Sequence, residues 1–331
     1  MTIFGLSNYL GCDPRLRNDG TSALWEVGKG FKTPGFWVSL AAKARNEGVP
    51  YRQLRFSDDD GRRYSEAMKL QVVLDGVDDY PYSRRKQGQN YSPLVLLENE
   101  ESTDSATQTV NGCIRNHFAG LGFDAFTDKL CGVVGDLHDN VWSHGKSTGF
   151  SMAQKWKKPR STNDVMFEFA LADCGLGFLR ELSRVGLKIE DDAEAIEWCI
   201  VKGHSSKLVN EKQDDGWAQR LPPDLMGCPM PIGVGRVKES DNHHQGLGLA
   251  KLISLVDEYK GSLWLATGRA MLTMKPEKSE FISLKFPWKG VCIACRFDGS
   301  LVKQYQTTQK NDELTDTLMK LLGGGDENES I

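Results

Sequence analysis

The stretch Asp164-Val-Met-Phe-Glu-Phe-Ala-Leu-Ala-Asp-Cys-Gly-Leu-Gly-Phe178 carries the reading of the fold. It begins as an apolar run of strand length and stops at Asp173-Cys-Gly175-Leu-Gly177. A carboxylate at a strand end can accept a hydrogen bond from an exocyclic amine. Glycines beside it let the backbone come close to a flat ligand. D-x-G-x-G is also a common turn, so the stretch acquires chemical meaning only from its neighbours.

Upstream, Val133-Val-Gly-Asp-Leu-His-Asp-Asn-Val-Trp-Ser-His-Gly145 reads as a helix. Asp136, Asn140 and His144 fall at i, i+4 and i+8 on one face, with Asp139 beside the stripe. Val133, Val134, Leu137 and Val141 form the opposite, core-facing side. A carboxylate and a carboxamide one turn apart can hold Mg²⁺ and position a water, because hard cations prefer oxygen ligands. Alone, a polar helix stripe is usually just an exposed face. Downstream, His243-His-Gln-Gly246-Leu-Gly248-Leu-Ala-Lys-Leu-Ile-Ser-Leu-Val256 places two glycines at the opening of an amphipathic helix. The free N–H groups and positive dipole end there suit phosphate. Lys251, one turn in, reads as a solvated helix lysine. His243 and His244 lack the second histidine pair that a metal site would need.

Other elements surround these three. Gly149–Trp156 reads as a strand and Ala193–Ser206 as a helix and turn. Gly261–Gly268 and Phe281–Phe286 read as returning strands, and Gly290–Phe297 as a closing strand. Earlier in the chain, the pattern predicts a helix over Phe36–Arg45 and a strand over Tyr51–Phe56. A helix over Arg62–Lys69 and a strand over Leu70–Leu74 follow. Tyr80–Gln89 is a polar break whose Arg84, Arg85 and Lys86 read as a solvated loop. Glu98–Asp104 is an acidic loop that marks a boundary, and an amphipathic stretch starts at Ser105. The expected organisation is a small α/β module over residues 1–104, a main domain over 105–303 and a flexible C-terminal tail over 304–331. A polar, glycine- and proline-rich segment at about 202–245 reads as a mobile lid.

Composition narrows the function classes. The chain has 331 residues, 39% hydrophobic and 26% charged, a mixture that argues against wholesale disorder. A formal net charge of -4 counts against a generic nucleic-acid binder. No apolar stretch is long enough to span a bilayer, and Met1-Thr2-Ile3-Phe4-Gly5 lacks a signal-peptide layout, so the expectation is a cytoplasmic protein with no membrane partner. The 8 cysteines are scattered. Cys292 and Cys295, three apart on a strand, should point to opposite faces, which leaves structural thiols as the better reading than a zinc site.

As an ordered set, spaced by about 35 and 70 residues, the polar helix, the D-x-G-x-G strand and the G-x-G-L helix resemble the GHKL, or Bergerat-fold, ATP-binding superfamily. Gyrase, the heat-shock chaperone, sensor histidine kinases and MutL belong to it. The resemblance spans roughly residues 105–297. It implies an α/β fold, specifically a two-layer α/β sandwich with a mixed sheet, preceded here by a small α/β domain that resembles STAS modules. It also implies ATP and Mg²⁺ as ligands. By position, Asn140 would ligate Mg²⁺ and Asp173 would read the adenine amino group. Gly175 and Gly177 would shape the base pocket, Gly246 and Gly248 would meet the phosphates, and His144 and Lys146 would approach them. Asp136 stands where the family has the glutamate that orients the attacking water. That arm is one methylene shorter, so the resemblance supports ATP binding better than hydrolysis.

His117, in Arg115-Asn-His-Phe-Ala119, does not resemble the phosphoacceptor box of a histidine kinase, and residues 298–331 leave no room for the transducer domains of gyrase, chaperone or MutL. The resemblance therefore implies a stand-alone ATP-binding protein, a slow ATPase or an ATP-driven switch that regulates an unidentified protein partner. A homodimer is compatible with it. The alternatives are a protein serine kinase of the anti-sigma-factor type and a non-catalytic nucleotide-dependent scaffold.

Overall fold

The apolar run that stops at Asp173 is a strand lying in the middle of a sheet. In the computed structural model, which describes residues 3–11, 25–141, 147–158, 164–202, 204 and 247–309, it is β7 (Val165–Asp173). Before it come β1 (Ile3–Phe4), α1 (Leu6–Gly11), β2 (Trp25–Val27), β3 (Phe31–Lys32), α2 (Pro34–Asn46), β4 (Leu54–Phe56), α3 (Asp59–Ala67), α4 (Leu70–Asp75) and β5 (Val95–Leu97). Then follow α5 (Glu100–Phe118), α6 (Asp124–Asn140) and β6 (Gly149–Lys157). After β7 the chain continues as α7 (Phe178–Arg184), α8 (Asp192–Ile200), α9 (Gly248–Glu258), β8 (Ser262–Lys275) and β9 (Lys278–Asp298).

The protein is mixed α/β, built on an open five-stranded sheet of order β5-β6-β7-β9-β8. Every neighbouring pair in it is antiparallel, not mixed as expected. A short reversal joins β8 to β9, and a short reversal can only produce antiparallel neighbours. The parallel pairs, β1 with β3 and β2 with β4, lie outside this sheet.

Both faces of the sheet are covered, which makes three layers where two were expected. On one face α5, α6 and α9 bury Phe126, Leu130, Val134 and Leu252 against Phe167, Phe169, Leu171, Ile293 and Phe297. On the other, α1 and α2 bury Leu6, Trp37, Val38 and Ala41 against Phe150, Met152, Ala170, Ala172 and Ala294. The period-two alternation of β7 separates these sets: large side chains face α6 and alanines face α2. Small residues let α2 come close, and a Cβ at Gly35 would lie 3.0 Å from that of Ala294. Cys292 and Cys295 belong to opposite cores, as strand geometry predicts. Within the segment read as a separate module, β5 is the edge strand of the sheet and α2 lies across β6 and β7.

Four local expectations are corrected. Leu70–Leu74 is helix α4, not a strand. Its Leu70, Val73 and Leu74 are buried at helical spacing, and Gly76 ends it with φ 74°. A short apolar run fits both periods, and only the left-handed stop separates them. Glu98–Asp104 is not a loop. Asn99 caps α5, accepting from Ser102 N at 2.9 Å while Ser102 Oγ accepts from Asn99 N at 3.0 Å, and the acidic residues occupy the favourable first turn. The two strands read over Phe281–Phe286 and Gly290–Phe297 are one strand, β9, paired with β8 through a register shift between Thr267 and Ala270. Residues 304–309 of the expected flexible tail continue a helix that starts at 299, anchored by buried Val302 and by Tyr305 edge-on to Tyr259 at 5.0 Å. Residues 310–331 lie outside the described set. Among the described residues, no helix is long and apolar enough to cross a membrane.

Candidate functional site

At the C-terminal end of β7 lies a cleft of about 850 Å³, open space at its mouth included. The sheet supplies its floor with Leu171, Asp173, Val291 and Ile293. One wall is the end of α6 and its C-cap (Leu137, Asn140, Val141) with the first turn of α9 (Gly248, Leu249). The other is the turn into α7 (Leu176, Gly177, Phe178, Glu181, Leu182) with Trp198, Cys199 and His204 from the α8 region.

Asp173 is the last residue of β7 and only 4% exposed. Its Oδ1 accepts from Gly175 N at 2.7 Å and its Oδ2 from Val291 N at 3.3 Å. Burial pushes its pKa up to about 6, against the pull of those two amides. Trp288 Nε1 donates to its carbonyl at 3.0 Å. The positive φ of Gly290, 90°, and its lack of a side chain let β9 pass directly over this carboxylate. Gly177, at φ 75°, starts α7 where a Cβ would stand 2.8 Å from Thr267 Oγ1.

Asn140 closes α6 and is half-buried in the cleft wall. One turn earlier, Asp136 is buried and its Oδ2 is 2.7 Å from Lys251 Nζ. Lys251, read as a solvated lysine, therefore ties α9 to α6. Gly248 has a packing reason to be glycine: a Cβ there would lie 2.9 Å from Asp136 Cβ and 3.4 Å from Asn140 Nδ2. The helix that bears Asn140 is further fixed by buried His138. Its ring nitrogens lie 2.8 Å from Thr107 Oγ1 and 2.7 Å from Ser151 Oγ. Burial lowers its pKa to about 3, so it is neutral. It belongs to the scaffold, linking α5, α6 and β6.

Asn140, Asp173, Gly177 and Gly248 thus meet in one cleft, although their sequence numbers span more than a hundred positions. Gly175 sits in the adjoining turn, bonded to Asp173. Asp136 lies behind Asn140 and is not among the described residues that line the cleft. His144, Lys146 and Gly246 lie outside the described residues, as does the expected lid apart from Lys202 and His204. Among the described residues, no group of three or more His, Cys, Asp or Glu could hold a metal ion. Asn140 offers one carboxamide oxygen. That fits Mg²⁺ carried in by phosphate oxygens and waters, and does not fit a protein-only cage.

Trp198, Cys199, His204, Phe178 and Glu181 are cleft residues that motif spacing did not single out. Glu181 is held by Arg184 at 2.8 Å, and burial pushes the Cys199 thiol up to about 12, leaving it protonated. An aromatic residue in the last turn of the helix that enters the expected lid was the available signal for Trp198. Compared with protein-family models, with curated proteins and with solved structures, the chain matches none.

Proposed function

We propose that the chain is a Mg²⁺-dependent adenine-nucleotide-binding protein of the GHKL type, with a Bergerat-like site, acting as a slow ATPase or ATP-driven switch on a partner protein. The observation that carries this reading is the convergence of Asn140, Asp173, Gly177 and Gly248 on one cleft. An ionised Asp173, deep among apolar side chains, is an acceptor suited to an exocyclic amine. The first turn of α9 offers backbone N–H groups at the same cleft. Magnesium would supply charge neutralisation of the phosphates, with Asn140 as its protein ligand. The non-catalytic reading has one observation in its favour: Asp136, in the water-orienting position by resemblance, is buried and paired with Lys251.

Calorimetric titration with ATP and Mg²⁺ tests the reading. Wild type should bind, and Asp173→Asn should bind at least about tenfold more weakly, the equivalent of about 1.4 kcal/mol for a mispaired buried polar group. Equal affinity in a folded Asp173→Asn variant would refute the assignment. Radiolabelled γ-phosphate then separates release, transfer to a partner and simple retention.

A further inference from the structure

We propose that Trp198, backed by His204, is the platform on which the base of the bound nucleotide stacks. This rests on the nucleotide reading of the cleft and adds a residue that neither the motifs nor the resemblance assigned.

Both residues line the cleft. Their rings are stacked on each other, with centroids 4.6 Å apart and planes inclined by 29°. His204 Nδ1 lies 3.0 Å from the Trp198 carbonyl oxygen. A carbonyl only accepts, so Nδ1 carries the proton and donates. The bond and the stack together orient the imidazole against the indole. Trp198 is itself on α8, whose first turn is pinned by Asp191 accepting from Ala193 N and Glu194 N at 2.9 Å each. Asp192, in that turn, accepts from Arg269 N of β8 at 2.8 Å, which ties the helix to the sheet. The half-buried Trp198 is thus a cleft residue held on a rigid element.

Chemistry selects the occupant of that surface. Asp173 can hold only the edge of a base, by hydrogen bonding. The two faces of the ring then need apolar or π partners, and the apolar part of the lining is largely aliphatic, with Leu137, Leu176, Leu182 and Ile293 among it. The indole of Trp198 is the largest π surface in the described lining. Stacking on an aromatic side chain contributes to base binding independently of hydrogen bonding.

The test is nucleotide binding by the full chain with Trp198→Leu and Trp198→Phe, by calorimetry with ATP and Mg²⁺, with folding checked by circular dichroism. Trp198→Leu should lose at least about fivefold in affinity, whereas Trp198→Phe should stay within about threefold of wild type, because it keeps a stacking ring. Tryptophan fluorescence offers a readout that does not need the leucine variant to fold. ATP should quench wild type, and that quenching should shrink in Trp198→Phe although binding persists. Unchanged affinity in Trp198→Leu, equal losses in both variants, or undiminished quenching in Trp198→Phe would each overturn the platform. A wild type that binds no adenine nucleotide would instead overturn the reading of the cleft itself, and the platform with it.

Discussion

Asp173 joins two demands that pull against each other. Its carboxyl is buried at the cleft, where a base amine would need it ionised in the proposed reading, and carries a pKa raised from 3.8 to about 6. The folded state therefore holds this proton up to a higher pH than the unfolded chain does. The associated stability is full below about 3.8, declines as pH rises towards 6, and is flat above it. The total is about 3 kcal/mol, at about 1.4 kcal/mol per pH unit. Denaturant titrations of the ligand-free protein between pH 4 and 6 should show this decline, and Asp173→Asn should lack it. Ligand affinity should run the opposite way. It needs the ionised acceptor, so ATP binding should weaken below pH 6 in wild type more than in Asp173→Asn. Identical pH profiles for the two proteins would remove Asp173 from the base-reading role. Its place was legible in the sequence because an apolar run that stops at a carboxylate before two glycines reads as a strand end, whereas its chemistry depends on the neighbours that the fold brings to it. Trp198 was not, because a place in the last turn of a helix does not by itself tell whether an aromatic faces a core or a cleft.

A second buried carboxylate governs how an element docks. Glu168, in the middle of β7 and fully buried, stands opposite Arg296 of β9. Its Oε2 receives the guanidinium at 2.6 and 2.8 Å, and the guanidinium packs between the Trp156 and Trp264 rings, 5.5 and 5.0 Å from their centroids. Its Oε1 accepts from Thr33 Oγ1 at 2.6 Å and from Gly35 N at 2.8 Å, at the N-terminus of α2. A negative charge there complements the helix dipole and satisfies an amide that the helix itself leaves unpaired. Glu168→Gln should lower unfolding free energy by about 3 kcal/mol, since it leaves Arg296 without its counter-charge. Chemical denaturation measures this, and a loss below about 0.5 kcal/mol would show that the contact is not a dock. Helices α2, α5 and α6 and strands β6 and β7 were legible because their periodicity runs for several turns or pleats. The docking of α2 was not. Its partner is 135 positions away, and a glutamate in an apolar strand gives no hint of what it will meet.

At the scale of the whole molecule, the sheet is the shared wall of two cores, and the N-terminal helices form the third layer. A chain built this way should unfold in one transition, because neither face of the sheet can lose its cover alone. Leu40→Ala, at a buried position in α2, should cost about 2–5 kcal/mol. It should also shift the far-ultraviolet and tryptophan transitions together. Separate transitions would mean that the N-terminal layer is a domain of its own, as composition and the acidic stretch at Glu98–Asp104 suggested. Sequence reading placed the boundary there because it sees local punctuation and not the alanine-lined contact between α2 and the sheet. The same architecture delivers the cleft, since β7, held from both sides, carries Asp173 to the place where α6, α8 and α9 converge. The central claim is that this cleft holds an adenine nucleotide. A crystal structure with Mg²⁺ and a non-hydrolysable ATP analogue tests it most directly. The expected result is the base at Asp173 and Trp198, with Mg²⁺ between Asn140 and the phosphates; a nucleotide bound elsewhere, or an empty cleft at saturating analogue, would contradict it.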